Sequence, residues 1–204
     1  MGPSLGKRGI RALGVAESFR GGEPNSVLAG VVMRGDLVVD GVCFGRTSVG
    51  GDDATSSIAS LFRRIRRNDV NLLMVSGAIL SLYNIVDVDE LSRRADLPVV
   101  CLTYKETRGI EASIARRFPG ATEVKLRAYR KLGPRQRIRL KSGRVLYART
   151  AGIDLASAQR VVDAFTLQGS VPEPIRVAKL VARAALAMRS SRRGLGGPWG
   201  RRFP

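Results

Sequence analysis

The sequence predicts an α/β fold built on a mixed sheet, in which an antiparallel three-strand start is followed by parallel strands with crossover helices. Three apolar segments near the beginning, residues 10–15, 26–33 and 37–44, are joined by short polar links, and strands joined in this way cannot be parallel. Farther along, apolar strand-like segments alternate with amphipathic helical ones, which favours parallel strands with right-handed crossovers. The length of 204 residues and a hydrophobic content of 44% suit one domain.

Hydrophobic periodicity and capping residues place the remaining elements. A helix is predicted over residues 53–67, because Ile58, Leu61 and Ile65 recur with a helical period after the capping-type residues Asp52 and Asp53. The later elements, in chain order, are a strand at 72–75, a helix at 88–95 capped by Asp87, a strand at 98–103, helices at 110–118 and 124–131, a hairpin of 138–140 with 145–148, a helix from Asp154 to about residue 166, and a last helix from Pro174 to about residue 188.

Composition divides the chain into three parts. Residues 1–8 form a basic N-terminal extension, residues 9–188 form the α/β domain, and residues 189–204 form an Arg/Gly-rich tail. The tail has five Arg, four Gly and no acidic residue, so it is too polar to pack into a core. We expect it to be flexible when free and to order on an RNA surface, where its arginines and Trp199 can stack on bases.

The chain is strongly basic, with 35 Lys and Arg against 17 Asp and Glu, a net charge of +18 and a pI near 11.4. Such an excess repels itself in a compact fold and is easiest to accommodate beside a polyanion. Nucleic acid is the favoured partner, because each neutralised phosphate releases a counterion. A generally basic proteome and an anionic membrane surface are the alternatives.

Residue types that are absent or rare exclude several kinds of site. The chain has no His, so it has neither an imidazole base nor a zinc site of the usual ligand types. Its two cysteines, Cys43 and Cys101, stand in apolar segments and are interpreted as buried thiols. No apolar stretch approaches the roughly 20 residues that span a bilayer, and the N-terminus lacks a signal-peptide core. We therefore expect a cytoplasmic protein.

The positive charge is concentrated between Lys105 and Arg149, a segment that contains 14 basic residues and only three acidic ones. Within it Arg137, Arg139 and Lys141 alternate with Ile138 and Leu140, so a strand would place the three cations on one face, about 7 Å apart. A solvated face of a thermophilic protein is the alternative, but such faces pair their cations with acids. The predicted nucleic-acid-binding residues are Arg127, Arg130, Lys131, Arg135, Arg137, Arg139, Lys141 and Arg144, with Arg192, Arg193, Arg201 and Arg202 of the tail.

Several local motifs, taken with the order of the elements, resemble a known family. The segments are LGVAESF at 13–19, VGGDDAT at 49–55, the run from Ser76-Gly77 to YNIVD at 83–87, and QGSVPEPIRVA at 168–178. Together they resemble an uncharacterised, mainly archaeal protein family related to endonuclease V, over roughly residues 9–188. The resemblance implies a ribonuclease H-like fold and a nuclease site in which strand-end carboxylates hold one or two Mg²⁺ ions.

The implied metal site is degenerate in this chain. The resemblance places the first metal-binding Asp at Ala16 and the one after the central strand at Ser76, and neither side chain can replace a carboxylate as a ligand. Glu17 would point to the opposite face of a regular strand. If the site were active, Glu17, Asp52 and Asp53 would be the catalytic residues, and Asp52 and Asp53 the metal ligands.

These observations predict an RNA-binding protein without catalytic residues, metal or cofactor, associated with a ribonucleoprotein such as the ribosome. The alternative is a Mg²⁺-dependent endonuclease that acts on damaged or deaminated nucleic acid. A third hypothesis, a scaffold that binds a protein partner through its tail, would be indicated by capture that is insensitive to salt and to nuclease.

Overall fold

The computed structural model describes residues 9–104, 106 and 109–194, with side chains described up to residue 189 in the last helix. The strands are β1 (Arg11–Ser18), β2 (Asn25–Arg34), β3 (Val39–Ser48), β4 (Leu72–Val75), β5 (Ile79–Leu80), β6 (Asn84–Ile85), β7 (Val99–Thr103), β8 (Gln136–Arg139) and β9 (Val145–Ala151). The helices are α1 (Ala54–Ile65), α2 (Val88–Ala95), α3 (Glu111–Arg117), α4 (Thr122–Lys131), α5 (Leu155–Ala164) and α6 (Glu173–Gly194).

Seven of the strands form one mixed sheet in the order β3-β2-β1-β4-β7-β9-β8, and β5 pairs with β6 in a separate small hairpin. Strands β1, β2 and β3 are antiparallel, whereas β1, β4 and β7 are parallel neighbours. The predicted fold class is therefore confirmed. Strand β9 returns antiparallel to β7, and β8 forms the outer edge beyond it.

Alternation along β1 separates the two faces of the sheet. Leu13 and Val15 are buried in the core under α1 and α2, whereas Ala12 lies in the core under α5 and α6. Ala16 continues this second face and packs with Ala178 of α6. Because successive side chains of a strand point to opposite faces, Ala16 faces α6 and its neighbour Glu17 faces the α1 side, as the sequence predicted.

Three details differ from the sequence prediction. Strand β1 extends to Ser18, so that Ala16 and Glu17 lie inside the strand. The β5–β6 hairpin was not predicted, since each of its strands has only two residues. Helix α6 continues to Gly194, so residues 189–194, assigned to the flexible tail, extend the helix by more than a turn; the remainder of the tail lies outside the described residues.

Among the helices of the described residues, none is long and apolar enough to cross a membrane.

Candidate nucleic-acid interface

Asp53 is the polar centre of the α1 side of the sheet. Its carboxylate accepts hydrogen bonds from Thr47 Oγ1 (2.7 Å), Asn84 Nδ2 (2.6 Å), and the backbone N and Oγ of Ser48 (3.0 and 3.1 Å). Burial alone would raise the pKa of Asp53, but the bonds from Thr47, Asn84 and Ser48 hold it below its usual range. Asp53 precedes α1, yet its side chain makes no capping bond there, so the capping role allowed by the sequence is wrong.

Glu17 belongs to a second part of this network. Its carboxylate accepts from the backbone N (3.1 Å) and Oγ (2.7 Å) of Ser81, and Ser81 Oγ also bonds to Ser26 Oγ (2.8 Å). Ser81, Leu82 and Tyr83 form the turn of the β5–β6 hairpin with three successive positive φ angles of 34°, 58° and 63°. Such backbone costs of order 1–3 kcal/mol per residue, and the bond to Glu17 helps to hold it.

Asp52 forms an ion pair with the buried Lys125 of α4, at 2.9 Å. The same ammonium donates to the backbone oxygens of Gly51 (3.0 Å) and Tyr83 (3.3 Å) and lies 4.6 Å from the centroid of the Phe118 ring. Lys125 therefore joins α4 to the loop before α1 and to the hairpin turn.

The three carboxylates named for an active site are thus each engaged by protein donors. The structure brings together no group of three or more Cys, Asp or Glu side chains suited to a metal ion in the described part of the chain. A Mg²⁺ ion needs several preplaced oxygen ligands with free lone pairs. These residues do not fit a magnesium site.

The carboxyl edge is the edge of the sheet at which the parallel strands β1, β4 and β7 end. On the α6 side of this edge, Ala16 and Ser76 are not acidic. Ser76 follows β4, and its backbone N donates to Val15 O (2.9 Å), which sets it beside Ala16. On this side Lys179 of α6 places its Nζ 4.6 Å from the centroid of the Tyr104 ring, just after β7. Burial and the nearby Arg183 lower the pKa of Lys179.

Two of the three predicted cations, Arg137 and Arg139, lie on the outer strand β8, and Lys141 lies in the turn between β8 and β9. Arg137, Arg139 and Lys141 are all exposed, and the alternating Ile138 and Leu140 are buried in the core under α5 and α6. The predicted one-sided arrangement is therefore present. On β9 the partner of Arg137 is Tyr147, whose ring lies 5.4 Å from the Arg135 guanidinium.

A small cavity of about 70 Å³ lies at the carboxyl ends of β4 and β7, and Arg135, two residues before Arg137, is part of its lining. Its polar lining comes from Thr103, Tyr129, Arg135 and Arg149. The half-buried Arg149 donates to the backbone oxygens of Leu132 (3.1 Å) and Gly133 (3.0 Å). Burial, with repulsion from Arg135, lowers the pKa of Arg149. The cavity combines guanidinium and aromatic groups, the two kinds of side chain that contact phosphates and bases.

A sequence profile of the endonuclease dU family matches residues 8–186. The chain belongs to this family. The UPF0215 protein of Pyrobaculum aerophilum is 39% identical over 173 residues, which covers 85% of this chain and 92% of that protein. The predicted relation to an archaeal family is confirmed.

Solved structures place this member of the endonuclease dU family among endonuclease V folds. A protein of unknown function from Archaeoglobus fulgidus superposes with a TM-score of 0.75 at 28% identity, over 87% of this chain and 98% of that one. Endonuclease V of Ciona intestinalis, solved in complex with a 24-mer DNA containing an inosine followed by a ribo-adenosine, has a TM-score of 0.58 at 12% identity, over 89% and 87% of the two chains.

The other predicted binding residues have mixed surroundings. Lys131 forms an ion pair with Asp87, the residue that caps α2, so part of its charge is already neutralised. Arg127, Arg130 and Arg144 are exposed. Arg192 and Arg193 lie in α6 without described side chains, and Arg201 and Arg202 lie outside the described residues.

Sequence reasoning missed Lys125, Arg149, Lys179 and Tyr104. Lys125 and Lys179 lie in predicted helices, Arg149 lies one residue beyond a predicted strand, and Tyr104 directly follows one. Only tertiary packing shows that Lys125 is buried and the other three are partly buried. Lys179 follows the apolar Ile175 by four residues, so the two share one side of α6. This spacing indicates that Lys179 lies on the side of the helix that faces the core.

Proposed function

We propose that this protein binds nucleic acid without cleaving it, through the face formed by β8, β9 and the end of α4, and that its partner is RNA. The observation that carries the proposal is the exposed row of Arg137, Arg139 and Lys141 beside the cavity lined by Tyr129 and Arg149. In the described residues none of these three exposed cations forms an ion pair with a carboxylate. Their charge is therefore available to phosphates.

The engaged carboxylates support binding without cleavage. Asp53, Glu17 and Asp52 use their oxygens to hold the hairpin, α1 and α4 in place. A metal ion would have to displace these donors, so that the buried Thr47 hydroxyl would lose its acceptor and the buried Lys125 ammonium its counter-ion. The endonuclease V complex with DNA supports nucleic acid as the class of partner.

Binding should be dominated by phosphate contacts and fall steeply as salt increases. We would measure fluorescence anisotropy of a structured RNA with the Arg137→Ala/Arg139→Ala protein. We expect its affinity to fall at least tenfold, with a shallower dependence of log K on log salt. The matched control is Arg63→Ala/Arg160→Ala, which removes two exposed arginines from α1 and α5. Equal affinity in the two double variants would contradict the proposed face.

The finer proposal is a stable place in a ribonucleoprotein, such as the ribosome. Native extract would be sedimented at low and high salt, with and without nuclease. Migration with ribosomal particles that salt or nuclease abolishes is the expected result. Free protein in every fraction would refute the association.

The family itself favours a second candidate, a Mg²⁺-dependent endonuclease acting on damaged or deaminated nucleic acid. The test is incubation of uracil- and inosine-containing oligonucleotides with Mg²⁺ or Mn²⁺. Cleavage lost in an Asp52→Ala/Asp53→Ala protein that still folds would establish this candidate and refute binding without cleavage.

A further inference from the structure

The α6 side of the carboxyl edge holds a positive charge where the family relation leads one to expect carboxylates. Ala16 of β1 and Ser76, which follows β4, each come one residue after the parallel pair Val15 and Val75. Parallel neighbours lie about 4.8 Å apart, so the two positions present a methyl and a hydroxyl side by side. Neither group carries charge.

Lys179 reaches this place from α6. It follows Ala178, which packs against Ala16 over β1, and its Nζ lies over the ring of Tyr104, just after β7. Strand β4 lies between β1 and β7 in the sheet. The ammonium therefore lies on the α6 side of the sheet over Tyr104, next to the strand that Ser76 follows.

No described carboxylate forms an ion pair with this ammonium. The charged group that acts on it is Arg183, one turn farther along α6, and it is also a cation. The hydroxyl of Tyr104 is buried and has no hydrogen-bond partner among the residues that the structure describes. A half-buried cation without a counter-ion is unfavourable, and its lowered pKa expresses that cost. A bound anion would remove it.

We propose that Lys179 holds a phosphate group of the bound nucleic acid at the end of β4, with the ammonium supplying the positive charge that a metal ion supplies in a carboxylate site. The Ser76 hydroxyl is the neighbouring donor, and Arg183 is placed for the next phosphate. This inference rests on the proposed function, since the phosphate belongs to the same ligand. Lysine is a common phosphate ligand as a compact point charge.

The test variant is Lys179→Met. Its two controls are Arg160→Met, which removes one exposed cation from α5, and Lys179→Arg, which keeps the charge. Anisotropy of a 20-nucleotide single-stranded RNA would be measured over a range of KCl concentrations. We expect Lys179→Met to lower the affinity several-fold and to reduce the salt slope by about 0.7, the value for one phosphate on a single strand. Lys179→Arg and Arg160→Met should keep the slope, and an unchanged slope in a folded Lys179→Met protein would overturn the inference.

Two further experiments are needed. The first distinguishes a terminal phosphate from a phosphodiester, and the second distinguishes failure of the Lys179 site from failure of the proposed function. An effect seen only with 5′-phosphorylated RNA would assign a terminal phosphate to Lys179, and an effect with both forms would assign a phosphodiester; either supports the site. If the wild-type protein bound no RNA, the proposed function would fail, and ³¹P NMR of inorganic phosphate would decide on the site alone. Line broadening by wild type but not by Lys179→Met would support it, and equal broadening would reject it.

Discussion

Replacing Asp53 with Ala distinguishes between two roles for this residue, a structural carboxylate and a metal ligand. A ligand carboxylate in a metal-free site is surrounded by like charges, so its removal leaves stability unchanged or raises it. Asp53 instead accepts from Thr47, Ser48 and Asn84, and its removal breaks bonds that connect β3, α1 and the β5–β6 hairpin.

The magnitude follows from the donors that lose their acceptor. Asn84 Nδ2 retains Thr47 Oγ1 and Ser48 O as acceptors, so it stays satisfied. Thr47 Oγ1 and the backbone N of Ser48 lose the carboxylate, as does Ser48 Oγ, which water can reach. Hydrogen bonds to charged groups contribute about 1.5–3 kcal/mol each, and water entering the half-buried site offsets part of the loss. We expect Asp53→Ala to lower the free energy of unfolding by about 3 kcal/mol, or the Tm by about 6–12 °C for a domain of this size.

Urea and thermal unfolding with and without 10 mM MgCl₂ are the assays. Asp36→Ala is the control, because it loses an exposed ion pair with Arg34 and should change little. A magnesium site with a Kd of about 0.1 mM would stabilise the wild type by about 2.7 kcal/mol in this buffer. An Asp53→Ala protein as stable as wild type, or a magnesium stabilisation that the substitution abolishes, would refute the structural role.

The pH dependence gives an independent check on the same residue. The pKa of Asp53 is lowered in the folded protein, so its stabilising effect is complete above the ordinary Asp pKa of about 4 and is lost as the pH falls through the lowered value. The stability difference between wild type and Asp53→Ala should be constant from pH 5 to 8 and shrink below about pH 4. A difference that grew on acidification would contradict this sign.

Three other predictions address the rest of the edge. Lys125→Met removes the ammonium that joins α4 to the loop before α1, so amide hydrogen exchange should become faster in α4 but not in α5; uniform exchange would contradict the anchoring role. Ser76→Asp places a carboxylate at the proposed phosphate site and should weaken RNA binding about tenfold, whereas Ser157→Asp on α5 should not. Because the pKa of Lys179 is lowered, its contribution to RNA binding should decline as the pH rises toward 10, and that of Lys179→Arg should persist, as anisotropy would show.

The order of helices and strands could be predicted because local signals agree with the tertiary arrangement. The short link at residues 34–36 and the capping residues Asp87 and Asp154 each act within a few residues. The β5–β6 hairpin could not be predicted in this way. Its turn at Ser81 depends on bonds to Glu17 and Ser26, which are distant in sequence.

The basic row was predictable for the same reason. The alternation of Arg137 and Arg139 with a buried Ile138 is a local period of two, which a strand converts directly into a face. The surroundings of the acids were not predictable from sequence. An aspartate before a helix can be interpreted equally well as a cap or as a metal ligand. The side chains that donate the short hydrogen bonds to Asp53 come from β3 and β6.

The α6 side of the carboxyl edge combines uncharged residues, Ala16 and Ser76, with a cation, Lys179. A metal site balances a cluster of carboxylates with the ion, so uncharged residues at positions 16 and 76 alone would leave this side neutral. Here the Lys179 ammonium lies on this side as well, and Glu17 is bonded to Ser81 on the opposite side. This side of the edge therefore has a positive centre that can attract a phosphate. If the proposed function holds, the scaffold binds nucleic acid here through Lys179 and not through a metal ion held by carboxylates.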